Sequence, residues 1–258
     1  TISLFAGMSV FLATRGHNDQ NIDLRQAFVL TTMSWITIAF FGALPFYLSN
    51  INLGFTDSFF ESMSGITTTG STILISIEAS PPGILVWRSL LQWLGGIGVI
   101  VMAIAIFPML SVGGMQLFKA ENFENPEKVV PRATSLTRGI FIIYSVLTLI
   151  WASLLYFSGM SSFDSILHSM TTIATGGYST KSGSIGAFNS QLIDWIIILG
   201  MIFGSLPFVH YLAMTKGSYR DLIKDSQVRW FLVLLTILVL TIFSLLFLNG
   251  TYDWKDSI

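Results

Sequence analysis

The stretch Asp57 to Thr72, DSFFESMSGITTTGST, decides the fold of this chain, because it recurs 107 residues later as Asp164 to Ser179, DSILHSMTTIATGGYS. Aligned without a gap, the two segments share an opening Asp-Ser pair, a Ser-Met pair, an isoleucine, a threonine and a glycine. A repeat at a fixed offset indicates a fold built from copies of one unit. The opening residues occur a third time as Asp256-Ser257-Ile258. We therefore expect two complete copies of the unit and the beginning of a third.

The composition indicates that the repeated unit lies in a membrane. Hydrophobic residues make up 52 % of the sequence and charged residues only 10 %, whereas soluble domains carry about 25 % charged residues. The net charge of -1 gives no support for nucleic-acid binding, and the absence of cysteine excludes a disulfide framework or a thiolate metal site. These values predict an all-α polytopic membrane protein with a lipid bilayer around it.

Apolar stretches of two lengths alternate along the chain. Five are long enough for the roughly twenty residues that cross a bilayer, and they lie at 26–56, 89–118, 139–158, 195–215 and 230–249. The repeat segments instead offer about ten helix-compatible residues each, which cover about 15 Å, half of the hydrocarbon thickness. Such a helix can enter the membrane but cannot cross it. The predicted unit is therefore a span, a re-entrant pore helix, a loop and a second span.

This unit predicts the organisation of the whole chain: the end of a transmembrane helix and a cytoplasmic loop (1–25), pore unit one (26–118), a cytoplasmic linker (119–138), pore unit two (139–215), a second linker (216–229) and the start of a truncated third unit (230–258). We expect a longer parent protein, with its third filter glycine thirteen positions beyond Asp256, the spacing found in both complete copies. Ten of the Lys and Arg residues fall on one side of this topology, and only Arg88, Lys181 and Lys255 on the other. The positive-inside rule places the re-entrant helices on the outer side.

The chemistry of the repeat lies in two Thr/Gly runs that follow the pore helices. Asp57 and Asp164 are predicted to cap the N-termini of these helices, so that the negative end of each helix dipole faces a run. The runs are TTTGS at 67–71 and ATGGY at 174–178. Non-helical backbone at membrane depth is tolerated where it is buried or lines a water-filled path. Glycine suits such a place, because its positive φ can turn successive carbonyls toward one axis.

The runs offer oxygen atoms without carboxylates, and this favours a monovalent cation. Carbonyl and hydroxyl oxygens can replace the hydration shell of K⁺, whereas calcium and magnesium usually recruit carboxylates. Neither the interval between Glu61 and Glu78 nor that between Asp164 and Asp194 contains an acidic residue. The sequence therefore predicts a site for K⁺ or a similar alkali cation.

These residues resemble the Trk/Ktr/HKT superfamily of potassium transporters, and most closely its TrkH-type membrane subunits of bacterial potassium uptake systems. The resemblance rests on ESMSGITTTGST (61–72), QWLGGIGVIVMAIAIFPML (92–110), SVGGMQLFKAE (111–121) and GGYST (176–180), which occur in the family's order. It implies a multi-pass protein of the bacterial inner membrane, with a channel-like pore of four pseudo-symmetric units. It also implies a homodimer and a cytosolic nucleotide-binding regulatory subunit of the TrkA type.

The resemblance also assigns the site residues. The implied selectivity filter comprises Thr67, Thr68, Thr69, Gly70, Ala174, Thr175, Gly176 and Gly177, with K⁺ at Thr68, Thr69, Thr175 and Gly176. Potassium is the transported ion in this assignment, and there is no catalytic residue and no cofactor. Tyr178, next to the second filter glycine, is expected to brace the loop by packing.

Two other functions remain open from the sequence. A sodium-coupled or sodium-permeable relative in the same superfamily would have similar filter serines and threonines. An intramembrane hydrolase would use Ser169, His168 and Asp164, although the first copy has Glu61 in place of the histidine. The glycines of the spans, Gly95 and Gly204 among them, are expected to permit close helix packing.

Overall fold

The computed structural model describes residues 7–9, 12, 24–110, 129–215, 217 and 219–248. This part of the chain is helical, with no β-strand among the described residues. The helices are α1 (Leu24–Tyr47), α2 (Phe55–Ile66), α3 (Pro82–Leu110), α4 (Val129–Phe157), α5 (Ser162–Ile173), α6 (Gln191–Ser205), α7 (Phe208–Thr215), α8 (Tyr219–Lys224) and α9 (Ser226–Leu248), with a short 3₁₀ helix at Ser184–Phe188. The expected third repeat at Asp256 and most of the first linker lie outside the described residues.

Long apolar helices alternate with short ones, which confirms the predicted class of an all-α polytopic membrane protein. Among the described residues, four helical segments are long and apolar enough to cross a membrane, namely Phe28–Tyr47, Pro82–Met102, Ser135–Phe157 and Ser226–Leu248. The helices α6 and α7 pass the same test only as a pair with a break between them. That break contains Pro207, which cannot continue a helix because its ring clashes with the preceding turn.

The two short helices, α2 and α5, occupy the positions predicted for the re-entrant pore helices. Each has 12 residues, or about 18 Å at 1.5 Å per residue, which is too short to cross the bilayer. The predicted caps are wrong: α2 is preceded by Gly54 and α5 by Ser161, whose hydroxyl accepts a hydrogen bond from the Asp164 amide. Asp57 and Asp164 lie in the first turn instead, where a negative charge still complements the helix dipole.

The chain forms two compact units, Thr1–Ser205 and Leu206–Ile258. The first contains both pore helices and both Thr/Gly runs. Its hydrophobic core has one cluster around α1, α2 and α3 and another around α4 and α6, formed by Ala39, Phe46, Ile66, Ile84 and Leu91 and by Leu155, Met160, Ile193 and Ile197 respectively. In the second unit, Asp225 accepts hydrogen bonds from the amides of Gln227 and Val228 at the start of α9.

Glycines allow two spans to approach the ends of the pore helices. A Cβ added to Gly95 on α3 would overlap the carbonyl oxygen of Ile66, the last residue of α2. A Cβ added to Gly204 on α6 would lie 2.7 Å from the carbonyl oxygen of Ile173, the last residue of α5. Packing against these helix ends therefore accounts for both glycines.

Candidate ion-binding site

The two Thr/Gly runs adopt the same backbone conformation. Thr68 and Gly70 have φ of 55° and 80°, and their counterparts Thr175 and Gly177 have φ of 54° and 80°. A positive φ is uncommon for threonine, which has a Cβ that crowds this region. The residue between each pair does not have a positive φ, so the backbone conformation alternates along each run and turns its peptide groups in a way that a regular helix or strand does not.

Hydrogen bonds to the pore helices hold this conformation in both copies. The amides of Thr67, Thr68 and Thr69 donate to the carbonyls of Met63, Gly65 and Ser64 at 3.0 Å each. The amides of Ala174, Thr175 and Gly176 donate to the carbonyls of Met170, Thr172 and Thr171 at 3.1, 2.9 and 2.8 Å. Every partner is shifted by the same 107 positions as the sequence repeat. The carbonyls at the end of each helix thus satisfy the amides of the loop, which leaves the loop carbonyls to other partners.

The threonine hydroxyls of the first run are partly engaged with one another. Thr67 Oγ1 donates to the carbonyl of Met63 at 2.7 Å and lies 2.8 Å from Thr69 Oγ1. Thr67, Thr69, Thr175 and Gly177 are exposed, Thr68 and Gly70 are half-buried, and Ala174 and Gly176 are buried. Exposed oxygen-bearing residues therefore occur in both runs.

The two runs also contact each other directly. A Cβ added to Gly70 would overlap the carbonyl oxygen of Gly176, so the second run lies against the first at its glycine. The same carbonyl accepts a hydrogen bond of 2.8 Å from Gln92 Nε2 on α3. The structure thus brings together residues of both predicted filter segments, with the Gly176 carbonyl at their contact.

A buried ion pair behind the runs links the two copies. Arg88 Nε lies 2.7 Å from Glu61 Oε1, and the two side chains are 1 % and 0 % exposed. Arg88 Nη1 also donates to the carbonyl of Ser179 at 3.1 Å, and its guanidinium carbon lies 4.0 Å from the centre of the Tyr178 ring. The assignment of Arg88 to an outer loop is wrong, because it lies in α3 and is buried. The sequence feature that could have identified Arg88 as buried is its position as a charged residue beside a long apolar stretch. Such a residue is a candidate functional position in a membrane protein.

Tyr178 extends this link from the second copy to the first. Its hydroxyl donates to the carbonyl of Glu61 at 2.9 Å and to that of Ser71 at 3.3 Å. Its side chain is 3 % exposed. Tyr178 therefore packs behind the runs and hydrogen-bonds to the first copy.

Equivalent positions in the two copies make equivalent contacts with different chemistry. The carboxylate of Glu61 accepts hydrogen bonds from the Thr72 hydroxyl at 2.9 and 3.1 Å and from the Ile73 amide at 3.2 Å. In the second copy, His168 Nε2 lies 2.9 Å from the hydroxyl of Ser179. In each copy, a polar side chain of the pore helix thus holds the hydroxyl residue that follows the run.

The residues of a hydrolytic triad are not arranged for catalysis. His168 Nδ1 contacts the backbone carbonyl of Asp164 at 2.8 Å, whereas its other nitrogen contacts Ser179. The hydroxyl of Ser169 donates to the carbonyl of Ile166 at 2.8 Å. The Asp164 carboxylate accepts hydrogen bonds from Ser161 and Thr180. Each of the three side chains is therefore engaged elsewhere, and the histidine does not contact Ser169.

The segments that follow the two runs meet outside the pore helices. Glu78 accepts a hydrogen bond of 2.5 Å from the Ser182 hydroxyl and one of 2.7 Å from the Ser182 amide. These two bonds hold the pKa of Glu78 below its ordinary value of 4.5. Among the described residues, no group of three or more His, Asp and Glu side chains could hold a metal ion.

Short re-entrant helices between membrane spans, each followed by a run of alternating backbone conformation, define a class of multi-pass membrane transport proteins. The family model of TrkH, described as a cation transport protein, matches residues 1–254. The chain belongs to this TrkH family.

Individual relatives agree with this assignment. The chain is 46 % identical over 218 residues to the Trk system potassium uptake protein TrkI of Halomonas elongata, covering 84 % of this chain and 44 % of the relative. It is 41 % identical over 234 residues to TrkH of Escherichia coli K12, covering 89 % of this chain and 48 % of that relative. The crystal structure of the potassium transporter TrkH from Vibrio parahaemolyticus matches with a TM-score of 0.86 and 32 % identity, covering 99 % of this chain and 53 % of that one. The chain spans about half the length of the curated relatives it matches.

Proposed function

We propose that this chain supplies two filter-bearing units of a K⁺-conducting protein in the bacterial inner membrane, as part of the pore-forming subunit of a Trk-type uptake system. The observation that carries the proposal is the repeated filter conformation. Thr68 and Gly70 match Thr175 and Gly177 in φ to within a degree, and the amides of the two runs are held by equivalent helix carbonyls. Two loops that share an unusual backbone this closely are suited to binding the same ligand.

The oxygen atoms of these loops favour K⁺. An ion that enters the membrane must lose its hydration shell, and carbonyl and hydroxyl oxygens can replace that shell for a weakly hydrated cation. In this proposal the filter comprises Thr67, Thr68, Thr69, Gly70, Ala174, Thr175, Gly176 and Gly177, with K⁺ at Thr68, Thr69, Thr175 and Gly176. Because the carbonyl of Gly176 accepts a hydrogen bond from Gln92 Nε2, its second lone pair is the one left for the ion.

The proposal includes an organisation and two partners. The pore units are 26–118 and 139–215, the linkers are 119–138 and 216–229, and a third unit begins at 230. The helix α4 begins at Val129, so the first linker would end in a helix. The partners are a second copy of the protein and a cytosolic nucleotide-binding subunit of the TrkA type, and the shared name of the relatives, a Trk system, supports an assembly. Native mass spectrometry of the full-length protein, alone and with that subunit, tests both.

Uptake of ⁸⁶Rb⁺ into liposomes tests the function. The full-length protein is reconstituted, and K⁺, Na⁺ and Li⁺ are added as competitors, with Gly70→Ser and Gly177→Ser beside the wild type. The proposal expects uptake that K⁺ blocks best and a weakened preference in both variants, since a side chain at φ of 80° strains the loop. Wild-type protein that carries no Rb⁺ would contradict the proposal. If Na⁺ blocked Rb⁺ uptake as well as K⁺ does, the sodium-permeable alternative would be favoured. If both variants kept the wild-type ion preference, the two runs would not be part of the filter.

A further inference from the structure

The side chain of Gln92 makes an unusual pair of contacts with the backbone of the second run. Its Nε2 donates to the carbonyl of Gly176 at 2.8 Å, and its Oε1 accepts from the amide of Tyr178 at 3.1 Å. The side chain is 0 % exposed. The two backbone groups that it holds belong to the peptide planes on either side of Gly177. The φ and ψ of a residue together set the relative orientation of these two planes, so one side-chain amide restrains both angles of Gly177.

The conformation of Gly177 is one that such a restraint can fix. Glycine populates positive and negative φ about equally, so its conformation is not fixed by its own sterics. Apart from Gly177 itself and its two chain neighbours, no heavy atom of the described residues lies within 4 Å of the place where a Cβ of Gly177 would sit. The filter conformation of Gly177 is therefore held from behind, through the peptide groups that Gln92 contacts.

Gly176 and Gln92 fit each other closely. A Cβ added to Gly176 would overlap the side-chain amide of Gln92, so the glycine leaves the space that the amide occupies. The carbonyl that Gln92 binds is also the atom against which Gly70 packs. The same hydrogen bond thus fixes the position of the second run relative to the first.

The fold of a span does not require this glutamine. Gly95 on α3 and Gly204 on α6 pack against the equivalent carbonyls of Ile66 and Ile173, and this contact aligns the two helices. On that alignment, the residue of α6 that corresponds to Gln92 is Met201, which has no amide. Because α6 forms without an amide at this position, the contacts with the run, and not helix formation, account for the amide in α3.

We infer that Gln92 is a specificity-determining positioning residue, whose amide clamps both peptide groups that flank Gly177 and thereby sets the ion preference of the second filter loop. This inference rests on the proposed function, because it assigns an ion preference to that loop. Gln92 does not touch the ion. Its effect is on the distance and direction of the carbonyls that do.

Variants at Gln92 in the full-length protein separate this role from simple core packing. Gln92→Met keeps the length and unbranched shape of the side chain and removes both hydrogen bonds. Gln92→Glu keeps them when the carboxyl is protonated, because its hydroxyl donates to Gly176 and its carbonyl accepts from Tyr178. Gln191→Met makes the same chemical change as the first variant at an exposed position on α6 and serves as the matched control. Each protein is reconstituted for ⁸⁶Rb⁺ uptake with K⁺ and Na⁺ as competitors.

We expect the preference for K⁺ over Na⁺ to fall about tenfold in Gln92→Met, because buried backbone groups lose their partners. Gln92→Glu keeps the preference at about pH 5.5, and loses it at about pH 9.5, where a buried carboxyl ionises. The wild type and Gln191→Met keep the preference at both pH values.

The inference would be overturned if folded Gln92→Met kept the wild-type preference for K⁺ over Na⁺. It would also be overturned if Gln92→Glu at acid pH lost as much of that preference as Gln92→Met does. If Gln92→Met does not fold, Gln92→Glu decides alone, and a preference unchanged between the two pH values overturns the clamp. Wild-type protein without Rb⁺ uptake would instead overturn the proposed function itself, so the two failures are distinguishable.

Discussion

The ion pair between Arg88 and Glu61 supports the most direct prediction about stability. Replacing Arg88 with methionine removes the 2.7 Å contact with Glu61, the hydrogen bond to the carbonyl of Ser179 and the stacking on Tyr178. The methionine retains much of the apolar stem of the arginine. The loss is therefore mainly that of a charge and its hydrogen bonds at a position that water does not reach.

The expected cost follows from the burial of both partners. Removing one member of a buried ion pair costs about 3–5 kcal/mol, because the other charge is left without compensation. Glu61 keeps hydrogen bonds from Thr72 and Ile73, so we expect about 3 kcal/mol for Arg88→Met. In the double variant Glu61→Gln/Arg88→Met, the amide oxygen at position 61 can still accept those hydrogen bonds and no charge is stranded. We expect the double variant to cost less than the sum of the two single losses, with a coupling of about 2 kcal/mol.

Denaturant titration of the full-length protein in detergent micelles measures these differences. The set is the wild type, Arg88→Met, Glu61→Gln, the double variant and Arg229→Met, a matched control on the exposed surface of α9 that should change stability by less than about 0.5 kcal/mol. Two results would refute the reasoning. One is a cost for Arg88→Met no larger than that of the control, and the other is a double variant whose loss equals the sum of the single losses.

Three further predictions concern other contacts of the first unit. Gly95→Ala should destabilise the protein by about 2 kcal/mol or more, because the added Cβ would overlap the Ile66 carbonyl. The control Gly83→Ala lies in open space on the same helix and should be neutral or stabilising. Equal melting temperatures of the two variants would contradict this prediction. Tyr178→Phe should cost about 1 kcal/mol in denaturant titration through its lost hydrogen bonds to Glu61 and Ser71, and no change would show that the hydroxyl contributes nothing. The pKa of Glu78 is below 4.5 in the fold, so its bonds to Ser182 stabilise the protein above that pH and are lost as the pH falls through the lowered pKa. Ser182→Ala should therefore flatten the acid limb of the melting-temperature profile, and an unchanged limb would argue against it.

The sequence repeat predicted the two runs because residues that are identical in both copies adopt the same backbone conformation. Thr68 and Thr175 share their unusual φ, as do Gly70 and Gly177, and these are positions of sequence identity. Local constraints of this kind are visible in one sequence. The exact ends of the helices were harder to predict from the sequence, because an acidic residue is favourable both as a cap and in the first turn. Asp57 and Asp164 lie in the first turn.

The contacts behind the runs could not be predicted in this way. Gln92 and Gly176 are 84 positions apart, and Arg88 and Ser179 are 91 positions apart. Neither separation equals the repeat offset, because these side chains connect one copy to the other. Arg88 also misled the topology, since a basic residue near the end of an apolar stretch looks like a loop residue until its buried partner is known. With Arg88 removed from the outer side, the Lys and Arg division becomes ten to two, which keeps the predicted orientation.

The side chains that join the two copies have a consequence for protein engineering. Glu61 and Arg88 belong to the first copy, whereas the carbonyl of Ser179 and the ring of Tyr178, which Arg88 contacts, belong to the second. A chimaera that exchanges only one copy with a relative therefore separates Arg88 from the partners in the second copy with which it occurs in this chain. Substitutions at Arg88 or Tyr178 therefore affect both copies, because each side chain contacts the other copy.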